Sequence, residues 1–304
     1  MSELKPTSPE ASAGAERSQF PHPLRPYPPL IVNVALTGMV PRRARVPHLP
    51  VTAEQIIEDA ETCFRAGARI VHLHARRADE EPEWRREAYG TVVAELRQRC
   101  TGIVICVTTS GRTYPDLDKR ADVLLLEGDE KPDMASLTLG SLNFRDTESV
   151  NAPRTIVALA ERMRGAGLRP ELEIFDTGMA YLAHQLLADG VLEPPLYANL
   201  LLGSTNTSPA TARDLAFLAD SLPADTVWAG AGIGAFQLPM NAMAVFMGGH
   251  VRTGLEDSPY LSYEDRSPTT NEQLVRRAVE LATLAGRRLA TVDETREMLG
   301  LPPV

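Results

Sequence analysis

Short apolar segments alternate with longer amphipathic segments along most of the chain. The first apolar run, 30–36, ends at Thr37-Gly38 and is typical of a buried strand. The segment 53–66 follows the N-cap candidate Thr52 and stops at Gly67, as a helix does. The pattern predicts strands at 30–36, 69–74, 103–109, 134–139, 170–175, 196–202, 225–230 and 250–255. It predicts helices at 53–66, 87–99, 116–127, 153–166, 179–187, 209–221, 237–247 and 271–289.

These strand–helix pairs determine the predicted fold class. Strict alternation predicts a parallel sheet, and eight repeats in about 260 residues predict closure into an α/β (β/α)8 TIM barrel. The alternative is an open doubly wound sheet, which places a glycine-rich phosphate turn after its first strand. Thr37-Gly38-Met39 stands there and does not match such a turn. We therefore predict one barrel domain over 29–304, preceded by a flexible tail at 1–28.

The composition restricts the possible partners. Lys and Arg number 31 against 40 Asp and Glu, and a net charge of −9 disfavours binding to nucleic acid or anionic membranes. The three cysteines show no CxxC spacing, and no apolar run reaches the ~18 residues of a membrane span. Residues 1–28 are rich in Pro, Ser, Ala and Glu and contain no apolar core of a signal peptide. We expect a cytoplasmic protein.

The second predicted strand ends in His72-Leu73-His74. Strand side chains alternate between faces, so His72 and His74 point the same way while Val71 and Leu73 point the other way. At the carboxyl end of a barrel strand the histidines face the mouth, where barrel active sites lie. A shared divalent metal such as zinc explains two adjacent imidazoles there. Two hydrogen-bonded core histidines are the alternative.

A catalytic zinc usually has three protein ligands and one open position. By the same alternation, Arg252, Gly254 and Glu256 of the last strand face inward. Glu256 is therefore a candidate third ligand, although an acidic residue at the start of a loop explains it equally well. Asp257 is placed to act as a base or to orient a partner. Arg252 needs a carboxylate partner if it is buried, and Asp257 is the nearest in sequence.

Two carboxylates, Glu171 and Glu173, share one face of the otherwise apolar fifth strand, where they need partners. Glu173 is closer to the mouth and is a candidate acid, base or partner of a metal ligand. A salt bridge at the closed end of the barrel suits Glu171 better.

Two strand-to-helix turns contain small hydroxyl residues and glycine, which can form an anion-binding nest from hydroxyls and backbone N–H groups. Such nests suit a carboxylate substrate, although each is also ordinary turn chemistry. The candidate substrate-binding residues are Thr108, Thr109, Ser110 and Gly111 after the third strand and Thr138 in the fourth. The glycine-rich run 230–234 after the seventh strand allows a nucleotide-bearing ligand to approach the backbone, or is simply a tight loop.

Six strings together resemble the β-keto acid cleavage enzyme family, whose best-known member is a 3-keto-5-aminohexanoate cleavage enzyme. They are ALTG at 35–38, HLHAR at 72–76, TTSG at 108–111, ASLTLGS at 135–141, ELEIFD at 171–176 and HVRTGLED at 250–257. The resemblance covers about 30–301. Met39 and the Ser258-Pro259 pair depart from the usual family pattern, and this leaves the side chain of the keto acid open.

The resemblance implies a (β/α)8 barrel with zinc held by His72, His74 and Glu256. It implies that a β-keto acid reacts with acetyl-CoA, the co-substrate, to give acetoacetate and a new acyl-CoA. It also implies that the chain forms a homo-oligomer, usually a tetramer. Arg252 and Asp257 then act together in proton transfer, with Glu173 in reserve as the base. The resemblance also implies that Thr108 helps to bind the substrate carboxylate.

Two other functions stay open on the residues alone. A zinc hydrolase or an aldolase-like C–C lyase on the same barrel would use a metal-bound water, with Asp257 as its base. A non-catalytic metabolite-binding barrel would bind its ligand without turnover. Dependence on a coenzyme A thioester separates the transferase from both.

Overall fold

The computed structural model describes residues 27–145 and 147–304 of the chain, so nearly all of the predicted tail lies outside the described residues. Eight parallel strands close into a barrel, as predicted. They are β1 (Val32–Ala35), β2 (Ile70–Leu73), β3 (Val104–Val107), β4 (Met134–Thr138), β5 (Arg169–Ile174), β6 (Tyr197–Leu202), β7 (Val227–Gly232) and β8 (His250–Thr253). The neighbour order around the barrel is β1-β8-β7-β6-β5-β4-β3-β2.

Helices surround the barrel. They are α1 (Ala53–Ala66), α2 (Arg86–Arg99), α3 (Leu117–Ala121), α4 (Pro153–Gly165), α5 (Thr177–Ala188), α6 (Ala212–Asp220), α7 (Gln237–Phe246), α8 (Asn271–Leu284) and α9 (Val292–Met298). Local sequence sets several of their starts: Thr52 and Thr270 each form a capping box with the glutamine three residues later. No described helix combines the length and the apolar composition that a membrane span requires.

The register of the strands brings distant parts of the sequence together at the mouth. Strand β1 lies between β8 and β2, so that Asn33 is level with Arg252 and Ala35 with His72. On the far side of the barrel, Glu171 is level with Tyr197. A closed parallel barrel therefore gathers side chains from β2, β5 and β8 at one end.

The apolar core has two parts. Between the strands and the helices lies a large cluster to which Val71, Leu73 and Ile105 belong. Inside the barrel a second cluster includes Ile70, Val104, Met134 and Tyr197 together with Leu299, which follows α9. The chain after α8 thus covers the inside of the barrel at the end opposite the mouth, which leaves the mouth as the open end.

The structure differs from the prediction mainly in its short elements. The helix predicted at 116–127 is only α3 followed by two 3₁₀ turns, and the last long helix ends at Leu284 instead of residue 289. Helix α9 was not predicted. Three short antiparallel hairpins were also not predicted, and they are Ala75–Arg76 with Pro82–Glu83, Leu142–Asn143 with Glu148–Ser149, and Tyr260–Ser262 with Ser267–Pro268. Their strands of two or three residues are too short to show a periodicity.

Candidate active site

His72 and His74 lie at the carboxyl end of β2, on its inner face. Their Nε2 atoms are 3.2 Å apart and both side chains are buried. Two N–H groups cannot face each other at that distance, so at least one ring presents a lone pair there. Burial lowers the pKa of His74, against the raising effect of Glu256. At least one of the two facing nitrogens therefore carries a lone pair, and the lowered pKa favours His74 as the ring that presents it.

Glu256 reaches the histidines from the loop after β8. Its Oε1 lies 3.4 Å from His74 Nε2, and its Oε2 lies 3.9 Å from His72 Nε2. Two glycines make this approach possible. A Cβ on Gly254, whose φ is +142°, would lie 2.0 Å from the carbonyl oxygen of Ala35. A Cβ on Gly38, whose φ is +60°, would lie 2.6 Å from Glu256 Cγ. Both motif glycines thus give Glu256 its position.

Glu171 is fully buried inside the barrel, where it contacts the other side of the His72 ring. Its Oε2 accepts a hydrogen bond from His72 Nδ1 at 2.6 Å, and its Oε1 accepts one from Asn33 Nδ2 at 2.7 Å. Burial alone would raise the pKa of Glu171, but His72 and then Arg252 outweigh it and lower the pKa to about 2. An ionised carboxylate holds the proton on Nδ1, so Nε2 is the His72 nitrogen that faces His74 and is placed to bind a metal ion.

The geometry fits a divalent metal ion. His72, His74 and Glu256 offer two nitrogens and one oxygen that lie within 4.8 Å of one another, the donor set of a catalytic zinc site. Glu256 Oε2 is buried and has no hydrogen-bond partner among the described residues, although a buried carboxylate oxygen needs one. His72, Cys106 and Glu171 form a second possible group, but His72 Nδ1 and Cys106 both already donate to Glu171.

Arg252 is the centre of the charge network and is 1% exposed. Its Nε donates to Asp257 at 3.1 Å and its Nη2 to Glu256 at 3.2 Å. Its Nη1 lies 3.6 Å from Glu173 and 3.8 Å from Glu171. The predicted pairing with Asp257 is therefore present, while the contacts with three further carboxylates were not predicted. One buried guanidinium holds four acidic groups in place.

Asp257 and Glu173 are the two candidate bases of the site, and their hydrogen-bond partners differ. Burial raises the pKa of Asp257, although the Arg252 guanidinium opposes the shift. A raised pKa suits a carboxylate that must accept a proton near neutral pH. Glu173 accepts a hydrogen bond from the Thr138 hydroxyl at 2.6 Å. Thr138 therefore lines the site with its hydroxyl proton already engaged.

The turn after β3 brings only some of its candidate residues to the site. Thr108 and Ser110 line the cavity, whereas Thr109 and Gly111 do not. Thr109 points away, since its hydroxyl donates to Ser136 O at 2.6 Å and its N–H to Ser136 Oγ at 3.2 Å. Ser110 N–H donates to Thr108 Oγ1. The turn thus presents hydroxyls to the cavity, while the N–H groups of Thr109 and Ser110 are used within the fold.

A cavity of about 230 Å³ opens at the mouth over these groups. Its polar lining residues are His74, Glu256, Asp257, Glu173, Arg252, Thr108, Thr138, Ser110 and Arg112, with Ser149 and Ser204. Its apolar lining residues are Met39, Val40, Pro41, Leu142, Phe144, Phe175, Leu201 and Ile233. A lining that combines polar and apolar residues suits a small acid with an organic chain.

Several contributors to the site were not found from the sequence. Arg76 donates to the carbonyls of Thr37 and Gly38, each at 2.9 Å, and so fixes the turn that faces Glu256. Arg120 is buried behind the β3 turn, where its Nε donates to Thr109 O. Arg76 ends the HLHAR string and Arg120 lies on α3, but their backbone partners are visible only in the folded chain. Asn33 and Tyr197 extend the network below Glu171.

Comparison with known proteins finds relatives over most of the chain. A family model described as beta-keto acid cleavage enzyme matches residues 29–301. The chain is 36% identical over 277 residues to the 3-oxoadipate:acetyl-CoA acetyltransferase of Cupriavidus necator, which covers 90% of this chain and 95% of that protein. It is 35% identical over 274 residues to the 3-keto-5-aminohexanoate cleavage enzyme of Fusobacterium nucleatum, which covers 90% and 98%.

A solved structure shares the fold. The ternary complex of ObcA with C4-CoA adduct and oxalate superposes with a TM-score of 0.72 at 21% identity, and covers 84% of this chain and 68% of that one. At this identity the likeness supports the barrel alone. The family match over nearly the whole described chain goes further. This chain belongs to the beta-keto acid cleavage enzyme family.

Proposed function

We propose that this chain is a zinc-dependent enzyme that condenses a β-keto acid with acetyl-CoA and releases acetoacetate and a new acyl-CoA. The observation that carries the proposal is the donor set of His72, His74 and Glu256, which lies in one cavity with the Arg252–Asp257 pair. Family membership and the relative named as an acetyl-CoA acetyltransferase support the same reaction class.

The hydroxyl groups of the β3 turn would bind the acid carboxylate. Thr108 Oγ1 accepts from Ser110 N–H, and Ser110 Oγ accepts from Arg112 N–H, so both hydroxyl protons are free to point into the cavity. Behind this turn Arg120 is 4% exposed, and its Nη1 has no hydrogen-bond partner among the described residues. A buried positive charge behind the turn favours an anion in front of it.

His72, His74 and Glu256 would hold the metal. When bound, a divalent ion supplies Lewis acidity that polarises the keto carbonyl and acidifies the CH2 group beside it. Asp257 then takes a proton from that CH2 group, while Arg252 keeps the carboxylate oriented from Nε. Glu173 is the reserve base, although Thr138 and Arg252 already engage it.

The carbanion that results attacks the thioester carbon of acetyl-CoA, and the coenzyme A thiolate leaves. The thiolate then attacks the original keto carbon, the bond between C2 and C3 of the keto acid breaks, and acetoacetate departs with its proton restored. A cavity of about 230 Å³ encloses a short acid and the acetyl end of the thioester, so the rest of coenzyme A extends outside. No protein nucleophile is needed in this sequence of steps.

Metal content and acetoacetate formation test the proposal together. A panel of β-keto acids is incubated with and without acetyl-CoA, and zinc is measured in the same preparations. His72→Ala and His74→Ala should lose most of the zinc and the activity. His184→Ala removes an exposed histidine on α5 and should retain both.

Three results would overturn the proposal. Product formation without acetyl-CoA would indicate a hydrolase or a lyase. Ligand binding without turnover would indicate a metabolite-binding barrel. Full zinc occupancy in the double alanine variant of His72 and His74 would remove the ligand assignment.

Assembly and location are also proposals. We expect the homotetramer that the family resemblance implies, in the cytoplasm. Exposed aromatic side chains on neighbouring helices, Phe217 on α6 and Phe246 on α7, are consistent with a contact between subunits. Analytical ultracentrifugation of the full chain measures the assembly directly.

A further inference from the structure

Arg112 is a cation in the active-site cavity that the proposed chemistry does not use. It follows the β3 turn, is partly buried and lines the cavity together with His74 and Glu256. Its guanidinium makes no hydrogen bond or ion pair with any other residue that the structure describes. Arg252, the other arginine of the cavity, contacts four carboxylates. Arg112 is therefore a cavity cation whose guanidinium faces no carboxylate at ion-pair distance among the described residues, whereas that of Arg252 faces four.

The carboxylates nearest to Arg112 are already engaged. Burial lowers the pKa of Arg112, and the negative charges of Glu256 and Glu173 oppose the shift, so both lie within electrostatic reach. Glu256 faces the histidines and Arg252, and Glu173 is held by Thr138 and Arg252. A guanidinium that is partly removed from water and lacks an anion is costly, since its five N–H donors need acceptors. An anion that arrives with the substrate would supply them.

The arginine is held in place before any ligand arrives. Its guanidinium carbon lies 3.2 Å from the ring centroid of Phe144, a cation–π contact. Phe144 in turn meets Phe175 edge to face, with ring centroids 6.3 Å apart. Both rings line the cavity, as do Leu142 and Leu201. The planar donor group thus lies against an aromatic ring, and apolar residues line the same cavity.

The carbon chain of a keto acid would pack against these apolar residues. The hydroxyls of Thr108 and Ser110 are available to the carboxylate next to the reacting carbon, as described above. Arg112 is then left for a group farther along the chain. The relatives' names include both an acid with a second carboxylate and an acid with an amine, so the far end of the substrate differs between members.

We propose that Arg112, supported by Phe144, binds a second carboxylate at the far end of the substrate, so that this enzyme acts on dicarboxylic β-keto acids. The inference rests on the proposed function and adds the substrate class to it. A planar guanidinium suits this role because it can donate two parallel hydrogen bonds to one carboxylate.

Three six-carbon substrates test the proposal: 3-oxoadipate, 3-oxohexanoate, and 5-amino-3-oxohexanoate. They differ in having an anionic, a neutral or a cationic group beyond the keto carbon. The kcat/KM of each is measured with saturating acetyl-CoA for the natural chain and for the variants Arg112→Met, Arg112→Lys and Arg276→Met. Arg276 is an exposed arginine of α8 paired with Glu272, and its variant is the matched control.

The natural chain and Arg276→Met should prefer 3-oxoadipate to 3-oxohexanoate by roughly 10- to 100-fold, the range expected for hydrogen bonds to a charged group. Arg112→Met should remove that preference by lowering kcat/KM for 3-oxoadipate far more than for 3-oxohexanoate, and Arg112→Lys should keep part of it. The ratio of two substrates on one preparation does not depend on how much of the protein is folded.

Two outcomes would overturn the inference while leaving the proposed function intact. One is a natural chain that prefers the neutral or the cationic substrate. The other is an Arg112→Met variant that loses activity equally on 3-oxoadipate and 3-oxohexanoate, which would place Arg112 on the common carboxylate or on coenzyme A. Absence of acetoacetate from all three substrates would instead contradict the proposed function itself.

Discussion

Replacing Glu171 with Gln isolates the effect of the carboxylate behind the histidines that we propose as zinc ligands. Glu171 Oε2 accepts from His72 Nδ1 at 2.6 Å, and Oε1 accepts from Asn33 Nδ2 at 2.7 Å. Glutamine has the same size and keeps one carbonyl oxygen for His72, but it removes the negative charge. The imidazole becomes less basic, and zinc should be held less tightly.

The expected size follows from that hydrogen bond. A hydrogen bond to a charged group contributes about 1.5–3 kcal/mol and a neutral one about 1 kcal/mol, so the change costs roughly 0.5–2 kcal/mol. Loss of a partner behind a ligating histidine typically weakens metal binding by about 10- to 100-fold. The two ranges overlap near a factor of about 10 in the zinc Kd, which is the expected result.

Competition with a chromophoric chelator measures the zinc Kd of the natural chain and of the variants Glu171→Gln and Glu173→Gln. Glu173 is the matched control because it lies on the same strand and the same face, contacts Arg252 and Thr138, and makes no hydrogen bond to His72. A Kd for Glu171→Gln within about two-fold of the natural value would refute the reasoning, as would an equal loss in both variants. Circular dichroism verifies that each variant is folded.

Three further predictions concern single side chains. Asp257→Asn should retain zinc and lower kcat by roughly 10²- to 10⁴-fold, whereas normal turnover in it together with an inactive Glu173→Gln would reverse the assigned roles. Arg252→Lys should keep zinc and lower kcat sharply because ammonium lacks the planar fork, and a raised KM alone would make Arg252 a substrate anchor. Burial, together with the charge of Arg287, lowers the pKa of His250 to about 3 in the folded chain. The unfolded chain protonates this imidazole at a higher pH, near its ordinary pKa of about 6.5. The free energy of unfolding therefore decreases as the pH falls from about 6.5 toward 3. Urea unfolding at pH 7 and at pH 5 measures how much the free energy of unfolding decreases between them. That decrease should be about 2 kcal/mol smaller in His250→Asn than in the natural chain, and equal decreases would contradict the lowered pKa.

Much of the barrel was predictable because short apolar runs alternate with longer amphipathic segments along the chain. Alternation of side chains also predicted that His72 and His74 lie on one face of the second strand, and that Arg252 and Glu256 lie on one face of the last strand. The pairing of Arg252 with Asp257 followed from the cost of a buried charge. These inferences need only residues that are close in sequence and the general geometry of a strand, so a single sequence is enough to make them.

Contacts that depend on how the strands align across the barrel could not be predicted. A salt bridge at the closed end of the barrel suited Glu171 better than Glu173, yet its carboxylate accepts a hydrogen bond from His72. The strand register, which places Glu171 level with Tyr197 and Ser136, brings the two side chains together. The orientation of Thr109 toward Ser136 depends on the same alignment. Phe144 belongs to a hairpin loop with no periodicity, so its contact with Arg112 appears only in the folded chain.

The most direct test of the account follows the acetyl carbons. Acetyl-CoA with carbon-13 in both acetyl carbons is incubated with a β-keto acid that supports turnover, and the products are analysed by mass spectrometry. The proposed steps place both labelled carbons in acetoacetate, as its keto and methyl carbons, and leave the new acyl-CoA unlabelled and equal in amount. Unlabelled acetoacetate, or label in the acyl group of the new thioester, would contradict the account.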